Sequence, residues 1–252
     1  KNLRAFAWGR LAAVEPETLQ RRLDEAPLAA DASLDEVIAR HARRLTRYQD
    51  GAYAERYLQK VARVREAEAR LGAGEALTQA VATQLYRLMA CKDEYEVARL
   101  YTESDFLAEL EATFGGDYRL SFHLAPPLLA GRKDARGRPV KRRFGPWMLK
   151  AMKGLARLRG LRNGPFDPFR FSADRKLDRR LLAEYEALLD ELVTRLDAGT
   201  HATAMALAKL PEEIRGFGPV REAAAEKAAA RRARLLEELR EGRPVTIAAE
   251  AA

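Results

Sequence analysis

Apolar side chains recur at intervals of three and four residues through most of this 252-residue sequence. The clearest stretch begins at Thr78, and its apolar positions are Val81, Leu85, Leu88, Met89, Tyr95, Val97, Leu100 and Tyr101. This spacing is typical of an α-helix that buries one face. Similar patterns predict helices that begin at Ser33, carry residues 53–64, and cover residues 105–114, 146–158, 173–196, 201–209 and 219–240. The periodicity therefore predicts a mainly α fold with many helices.

Local signals mark where some of these helices begin and end. Ser33 and Glu36 match a capping box, in which the hydroxyl and the carboxylate accept hydrogen bonds from amides at the start of a helix. Gly51 is a predicted break between the first two helices. The prolines among residues 1–32 predict the tail of a preceding domain and a linker, followed by a helical domain over residues 33–252. The chain begins at Lys1, and we expect it to be part of a longer polypeptide.

A change of period interrupts the helical pattern after the glycine pair at 115–116. Four apolar residues alternate with polar ones, as in a half-buried strand, and they are Tyr118, Leu120, Phe122 and Leu124. The proline pair at 126–127 ends this strand, and residues 134–137 have the composition of a hairpin tip. We therefore expect a small antiparallel β-hairpin or sheet around residues 117–145, inserted between helices.

Positive charge is concentrated in one stretch of the chain. Residues 132–162 contain twelve Lys or Arg and one acidic residue, a net charge of +11. Because the whole chain carries +8, the remainder is net acidic at −3, which argues against a protein that coats nucleic acid with its whole surface. The candidate docking or anion-binding residues are Arg132, Lys133, Arg136, Arg138, Lys141, Arg142, Arg143 and Lys150. They can form a solvated hairpin, or pair with the net-acidic remainder of the chain. They can also steer an acidic protein partner, or bind nucleic acid or a phosphate-bearing ligand.

A second group of candidates serves structure or an interface. Its members are Asp93, Glu94, Glu96, Arg99, His123, Trp147 and Arg215. Glu96 and Arg99 are three residues apart, so we expect them to pair on a helix surface. His123 falls on the polar side of the predicted strand, and Arg215 precedes a glycine-rich turn at 216–218 and could bind an anion. An alternative is that residues 92–96, His123 and Arg215 converge in the pocket of a self-contained enzyme.

Several chemistries lack their residues in this sequence. Cys91 is the single cysteine and the three histidines are far apart, so we expect no disulfide framework, iron–sulfur cluster or zinc site. Phosphate-binding loops, the dinucleotide fingerprint and the G-x-S-x-G elbow are also missing from the sequence. We therefore predict no catalytic, cofactor-binding or metal-binding residue in this chain. No apolar run has membrane-spanning length, and the cysteine usage predicts a reduced, cytoplasmic protein.

Five short strings occur in this order along the chain: Ala5–Ala13 (AFAWGRLAA), Leu88–Tyr101 (LMACKDEYEVARLY), Phe122–Ala130 (FHLAPPLLA), Phe144–Met148 (FGPWM) and Ile214–Gly218 (IRGFG). Together they resemble the C-terminal region of indolepyruvate ferredoxin oxidoreductase, in its long, single-chain bacterial form. The likeness covers nearly the whole chain and thins after about residue 225.

This resemblance implies a parent enzyme that converts an arylpyruvate, coenzyme A and oxidised ferredoxin to an aryl-acetyl-CoA, carbon dioxide and reduced ferredoxin. Thiamine diphosphate with magnesium and the iron–sulfur clusters would lie in upstream domains of the same polypeptide, and the parent would be a homo-oligomer. Residues 1–32 would end the preceding 2-oxoacid oxidoreductase domain. Residues 33–252 would be a non-catalytic domain for assembly, active-site closure or ferredoxin docking. A basic nucleic-acid-binding helical module is the alternative, which the net-acidic remainder disfavours.

Overall fold

Nine α-helices, two short 3-10 helices and a two-stranded antiparallel sheet form the secondary structure between residues 32 and 242, wherever the structure describes the chain. The structure is a computed structural model, and it describes residues 32–115, 118–125, 140–216 and 218–242, with separate positions between 6 and 18. The chain divides into two compact units, Lys1–Val37 and Ile38–Ala252. The predicted mainly α fold with a small antiparallel insert is confirmed, whereas the boundary after residue 32 stays a prediction.

The helices and strands are numbered here in chain order. Their bounds are α1 Leu34–Tyr48, α2 Gly51–Ala69, α3 Ala76–Met89, α4 Glu94–Thr102, α5 Phe106–Phe114, β1 Phe122–Leu124, β2 Arg142–Phe144, α6 Trp147–Arg157, α7 Ala173–Arg195, α8 His201–Lys209 and α9 Pro219–Arg240. The 3-10 helices are Leu158–Leu161 and Leu210–Glu213. Among the described residues, none of these helices combines the length and apolar character that crossing a membrane would need.

The capping box at the start of α1 is present. The Ser33 amide donates to Glu36 Oε2 at 2.9 Å, and the Glu36 amide donates to Ser33 Oγ at 3.3 Å. The predicted break at Gly51 lies where α2 begins, because Asp50 Oδ1 accepts a hydrogen bond from the Tyr53 amide at 2.8 Å and caps the new helix.

The helix predicted from Thr78 to Tyr101 is wrong in two respects. It begins earlier, at Ala76, and it is two helices, because α3 ends at Met89 and α4 begins at Glu94. The break arises at Asp93, whose Oδ1 accepts the Glu96 amide at 2.8 Å and starts a new helix. The apolar period continues across the break, which is why the sequence pattern did not reveal it.

The start of α3 is capped by a side chain from α2. Glu68 is fully buried, and its carboxylate accepts hydrogen bonds from the amides of Leu77 and Thr78, each at 2.8 Å, and from the Thr78 hydroxyl at 2.7 Å. His201 Nε2 lies 3.2 Å from the same carboxylate. Without Glu68 the amides at the start of α3 would be buried with no hydrogen-bond acceptor. The same carboxylate also joins α2, α3 and α8 at one point.

The sheet pairs β1 and β2 in antiparallel register, with Phe122 opposite Phe144 and His123 opposite Arg143. Phe122 is buried and His123 is exposed, so the predicted alternation holds over these three residues. The strand is shorter than predicted, since residues 118–121 are irregular. The predicted hairpin tip at 134–137 lies outside the described residues.

The core has two regions. In the larger one, α3 packs against α2, α7 and α8 around fully buried side chains such as Val81, Leu85, Leu189 and Leu207. The smaller region lies under the sheet, where α4 packs against α6. Its buried members are Ala98, Phe122, Met152 and Ala156. The smaller core fixes α6 and the sheet to the helical body.

Candidate functional site

The acidic segment at the start of α4 is built into the protein interior. Arg99 Nε and Nη2 donate to the two oxygens of Glu96 at 2.8 and 2.7 Å, so the predicted ion pair is present and bidentate. Both side chains are largely buried. Glu94 is also half-buried, and burial raises the pKa of its carboxyl group. These residues hold the helix junction together.

Asp93 is the centre of a buried charge network. Its carboxylate accepts hydrogen bonds from Arg162 Nε at 2.6 Å, from Arg175 Nη1 at 2.8 Å and from the Tyr48 hydroxyl at 3.1 Å. The side chains of Asp93 and Arg162 are each 1% exposed. Arg162 also donates to the Tyr48 carbonyl and lies 3.7 Å from the centre of the Tyr48 ring. The short distances and the burial indicate a structural role.

Asp167 supplies the second carboxylate of this network. It accepts hydrogen bonds from the amides of Asn163 and Phe169 at 2.8 and 3.0 Å and from the Tyr95 hydroxyl at 3.1 Å, and it lies 3.5 Å from Arg175. Two arginines therefore face two aspartates. Sequence reasoning singled out Asp93 but missed the other three charges, because two of them are 69 and 82 residues further along the chain. The one local signal is an aspartate between two prolines, at 165 and 168.

The basic stretch is partly described. Arg132, Lys133, Arg136 and Arg138 lie outside the described residues, so those candidates stay predictions. Lys141, Arg142, Arg143 and Lys150 are all exposed. Lys153 and Arg157 are exposed as well, and they lie three and seven residues after Lys150 on the same side of α6. Their spacing in a stretch without acidic residues is the signal that could have identified them.

We use the name basic face for a set of six exposed cations, of which three share one side of α6 and three lie in β2 or just before it: Lys150, Lys153, Arg157, Lys141, Arg142 and Arg143. In the part of the chain that the structure describes, none of the six forms an ion pair or hydrogen bond through its side chain. The next two arginines differ, because Arg159 pairs with Glu103 at 3.2 Å and Arg162 is buried. Of the structural alternatives for the basic stretch, pairing with the net-acidic remainder therefore does not apply to these six side chains, whereas solvent exposure does.

Apolar side chains accompany the basic face. Trp147 is 59% exposed and Leu158 is 51% exposed, whereas Met152 and Ala156 on the opposite side of α6 are buried in the smaller core. Trp147 stands edge-to-face with Phe144 at 6.0 Å between ring centroids, which connects it to β2. Thus one side of α6 is buried in the smaller core and the other side is exposed. Trp147 on the exposed side, and Leu158 just after the helix, lie near its cations in the chain.

His123 belongs to this region and not to a pocket with the acidic segment. It lies opposite Arg143 in the register of the sheet, and both side chains are exposed. Cross-strand neighbours have Cβ atoms about 5 Å apart, so His123 borders the basic face. The alternative in which residues 92–96, His123 and Arg215 converge on one pocket does not match the described residues. Only Lys92 and Arg215 line one cleft.

The turn after Arg215 has the predicted glycine conformations. Gly216 has φ +97° and Gly218 has φ +55°, values that other residues rarely adopt. A Cβ atom on Gly216 would lie 2.9 Å from Val220 Cγ1. Arg215 Nε donates to the Glu212 carbonyl at 2.8 Å. The turn and this hydrogen bond hold the arginine beside the cleft that it lines together with Lys92.

Cys91 is half-buried beside the start of α7. Burial, reinforced by the nearby carboxylate of Asp178, raises the pKa of the Cys91 thiol to about 12. The thiol is therefore protonated at neutral pH and is a poor nucleophile. No group of three His, Cys, Asp or Glu side chains suited to hold a metal ion occurs within the described ranges.

Comparison with known proteins gives a family without an assigned activity. The model of a family of unknown function, DUF6537, matches residues 34–234, which is most of the chain. No curated protein and no solved structure matches the chain.

Proposed function

We propose that this chain, which belongs to the DUF6537 family of unknown function, is a non-catalytic helical domain of an arylpyruvate:ferredoxin oxidoreductase whose basic face binds ferredoxin. The observation that carries the docking role is the basic face, six exposed cations without an ion pair in the described chain. The five strings that resemble indolepyruvate ferredoxin oxidoreductase support the parent enzyme. In this proposal the thiamine diphosphate, magnesium, iron–sulfur clusters and coenzyme A are bound by upstream domains.

Electrostatics supports an acidic protein as the partner. Between residues 140 and 158 the chain has six Lys or Arg and no acidic residue. A surface of one sign raises the association rate of a partner of opposite sign by roughly 10- to 1,000-fold at low salt. Ferredoxins of this enzyme class are acidic proteins, so the charges are complementary. Exposed Trp147 beside the cations adds the kind of aromatic anchor that contributes strongly to protein interfaces.

The packing of α6 against the smaller core supports a contact with ferredoxin in one fixed orientation. Met152 and Ala156 are 5% and 0% exposed, so the helix is held to the smaller core along its length. The cations of α6 therefore keep a fixed orientation on the domain, which an electron-transfer complex needs more than high affinity. Interfaces in such complexes are small and transient, and charge complementarity suits them.

The test uses the whole polypeptide that contains this chain. Lys150→Glu/Lys153→Glu/Arg157→Glu reverses three charges on one side of α6 without touching its buried side. We expect the KM for ferredoxin in arylpyruvate-dependent reduction to rise at least about tenfold, because steering is lost. Reduction of a small viologen dye should keep its rate. The effect should weaken as salt increases, because ions screen the attraction.

A matched control changes the same number of charges elsewhere. Arg43→Glu/Arg47→Glu/Lys227→Glu reverses three exposed cations on α1 and α9, and we expect it to leave the KM for ferredoxin within about twofold of wild type. If both triple variants respond alike, docking at the basic face is wrong. If the polypeptide shows no arylpyruvate-dependent reduction, the parent enzyme is wrong.

Nucleic acid is the other macromolecule that this surface could bind, and the same variants separate the two. Phosphate contacts would give an affinity for duplex DNA that falls steeply with salt and is lost in the α6 triple variant. The net-acidic remainder of the chain opposes this outcome. Micromolar DNA binding near physiological salt that depends on Lys150, Lys153 and Arg157 would refute ferredoxin docking as the role of the basic face.

A further inference from the structure

A cleft separate from the basic face lies where five segments meet. These are the end of α3, the α3–α4 junction, the start of α7, the turn that carries Arg215, and the start of α9. Its volume is about 330 Å³. Pockets for small molecules in proteins have volumes of roughly 300–1,000 Å³, so the cleft is large enough for a small metabolite.

The charged groups of the cleft do not cancel. Arg87, Lys92, Arg215 and Arg221 supply four positive charges, and Asp174 and Asp178 supply two negative ones. Arg221 forms an ion pair with Asp178, and both side chains are mostly buried. After this pair is set aside, three cations face one exposed carboxylate, that of Asp174. The cleft therefore has an excess of two positive charges.

The three remaining cations have free donor groups. Arg215 uses Nε for the Glu212 carbonyl, which leaves its two terminal nitrogens. Arg87 has one long contact, 3.5 Å from Nη2 to the Ile214 carbonyl. Lys92 is exposed and makes no side-chain hydrogen bond or ion pair in the described part of the chain. Two guanidinium groups and an ammonium group thus stand available around the opening, which is the donor set that binds phosphate oxygens.

The rest of the lining is apolar. Leu88 and Pro211 are buried and Ile214 is half-buried, and all three contribute to the wall. Cys91 completes this side as a neutral thiol whose Sγ donates to the Leu88 carbonyl at 3.2 Å. An occupant therefore meets cations at one part of the cleft and an apolar wall at another.

We infer that this cleft binds a small organic phosphate monoester. The phosphate dianion would match the excess of two positive charges at Arg87, Lys92 and Arg215, and the organic group would lie against Leu88, Pro211 and Ile214. A carboxylate monoanion would neutralise half of the excess. The inference does not depend on the parent enzyme or on ferredoxin docking, because it concerns other residues and another ligand class.

The experiment titrates the full 252-residue chain with phenyl phosphate and follows heat release and the ³¹P signal. We expect saturable binding with a Kd below about 1 mM. Lys92→Ala and Arg215→Gln should each raise this Kd at least tenfold, since both side chains are exposed and their loss leaves the core intact. The matched controls are Lys227→Ala and Arg47→Gln, exposed cations away from the cleft, and they should bind as the wild type does.

Two further probes test the chemical class. Inorganic phosphate should bind at least about fivefold more weakly than phenyl phosphate, because it lacks the group that contacts the apolar wall. Phthalate, a dicarboxylate of similar size, should also bind more weakly. Phthalate binding as tight as that of phenyl phosphate would overturn the assignment to phosphate. Absence of saturation by about 10 mM phenyl phosphate, or equal losses in the control variants, would overturn the site itself.

Discussion

Removal of the Asp93 carboxylate should destabilise the protein far more than loss of an ordinary helix cap. In Asp93→Ala, Arg162 loses its carboxylate partner while its side chain remains 1% exposed. Breaking a buried pair by deleting one partner costs roughly 3–5 kcal/mol, because the other charge stays buried without compensation. Arg175 is less affected, since Asp167 remains 3.5 Å from it. The lost cap on the Glu96 amide adds about 1 kcal/mol.

The matched control is Asp50→Ala, which removes the same kind of cap at the start of α2. Asp50 accepts the Tyr53 amide at 2.8 Å but is exposed, and within the described ranges it pairs with no buried arginine. We therefore expect about 1 kcal/mol of lost stability for Asp50→Ala and at least about 4 kcal/mol for Asp93→Ala. Domains of ordinary stability have 5–15 kcal/mol in total, so Asp93→Ala approaches the limit of folding.

The assay is urea unfolding of the 252-residue chain, followed by circular dichroism. Asp93→Asn keeps the cap oxygen and the side-chain shape but removes the charge, so it should lose roughly 2–3 kcal/mol and still fold. If Asp93→Ala and Asp50→Ala differ by less than about 1 kcal/mol, the network around Asp93 does not stabilise the fold as argued.

Three further perturbations test other parts of the structure. Glu68→Gln should lower the free energy of unfolding by about 1.5–3 kcal/mol in urea titrations at pH 7. Burial acts to raise the pKa of Glu68, but hydrogen bonds from Thr78 and the α3 amides outweigh burial and lower it. Because the carboxylate is protonated at low pH, the difference between wild type and Glu68→Gln should shrink as the pH falls below about 4. Burial, reinforced by nearby arginines, lowers the pKa of His41 from 6.5 to about 4. On acidification the imidazole therefore binds a proton in the unfolded chain before it does so in the folded one, and the free energy of unfolding should fall by up to about 3 kcal/mol from pH 6.5 to 4. His41→Phe should remove this pH dependence. Gly216→Ala places a Cβ 2.9 Å from Val220 at φ +97° and should lower the melting temperature by roughly 3–6 °C.

The sequence was sufficient where a feature depends on neighbours in the chain. Ser33 and Glu36 are three residues apart, so their capping box could be predicted from spacing alone. The alternation at residues 122–124 placed the strand, and the glycines at 216 and 218 predicted the turn. These features rest on hydrogen bonds and steric limits that span a few residues. The concentration of positive charge is likewise a property of composition.

Only the tertiary structure decided which side chains meet across the chain. Asp93 finds Arg162 and Arg175 at separations of 69 and 82 residues, and Glu68 caps a helix to which it does not belong. The sequence also could not tell that Lys92 shares a cleft with Arg215 while His123 lies beside Arg143. The physical reason is that helix periodicity fixes which face of each helix is buried. How the helices pack, and hence which charges are paired or free, is determined by contacts between distant segments.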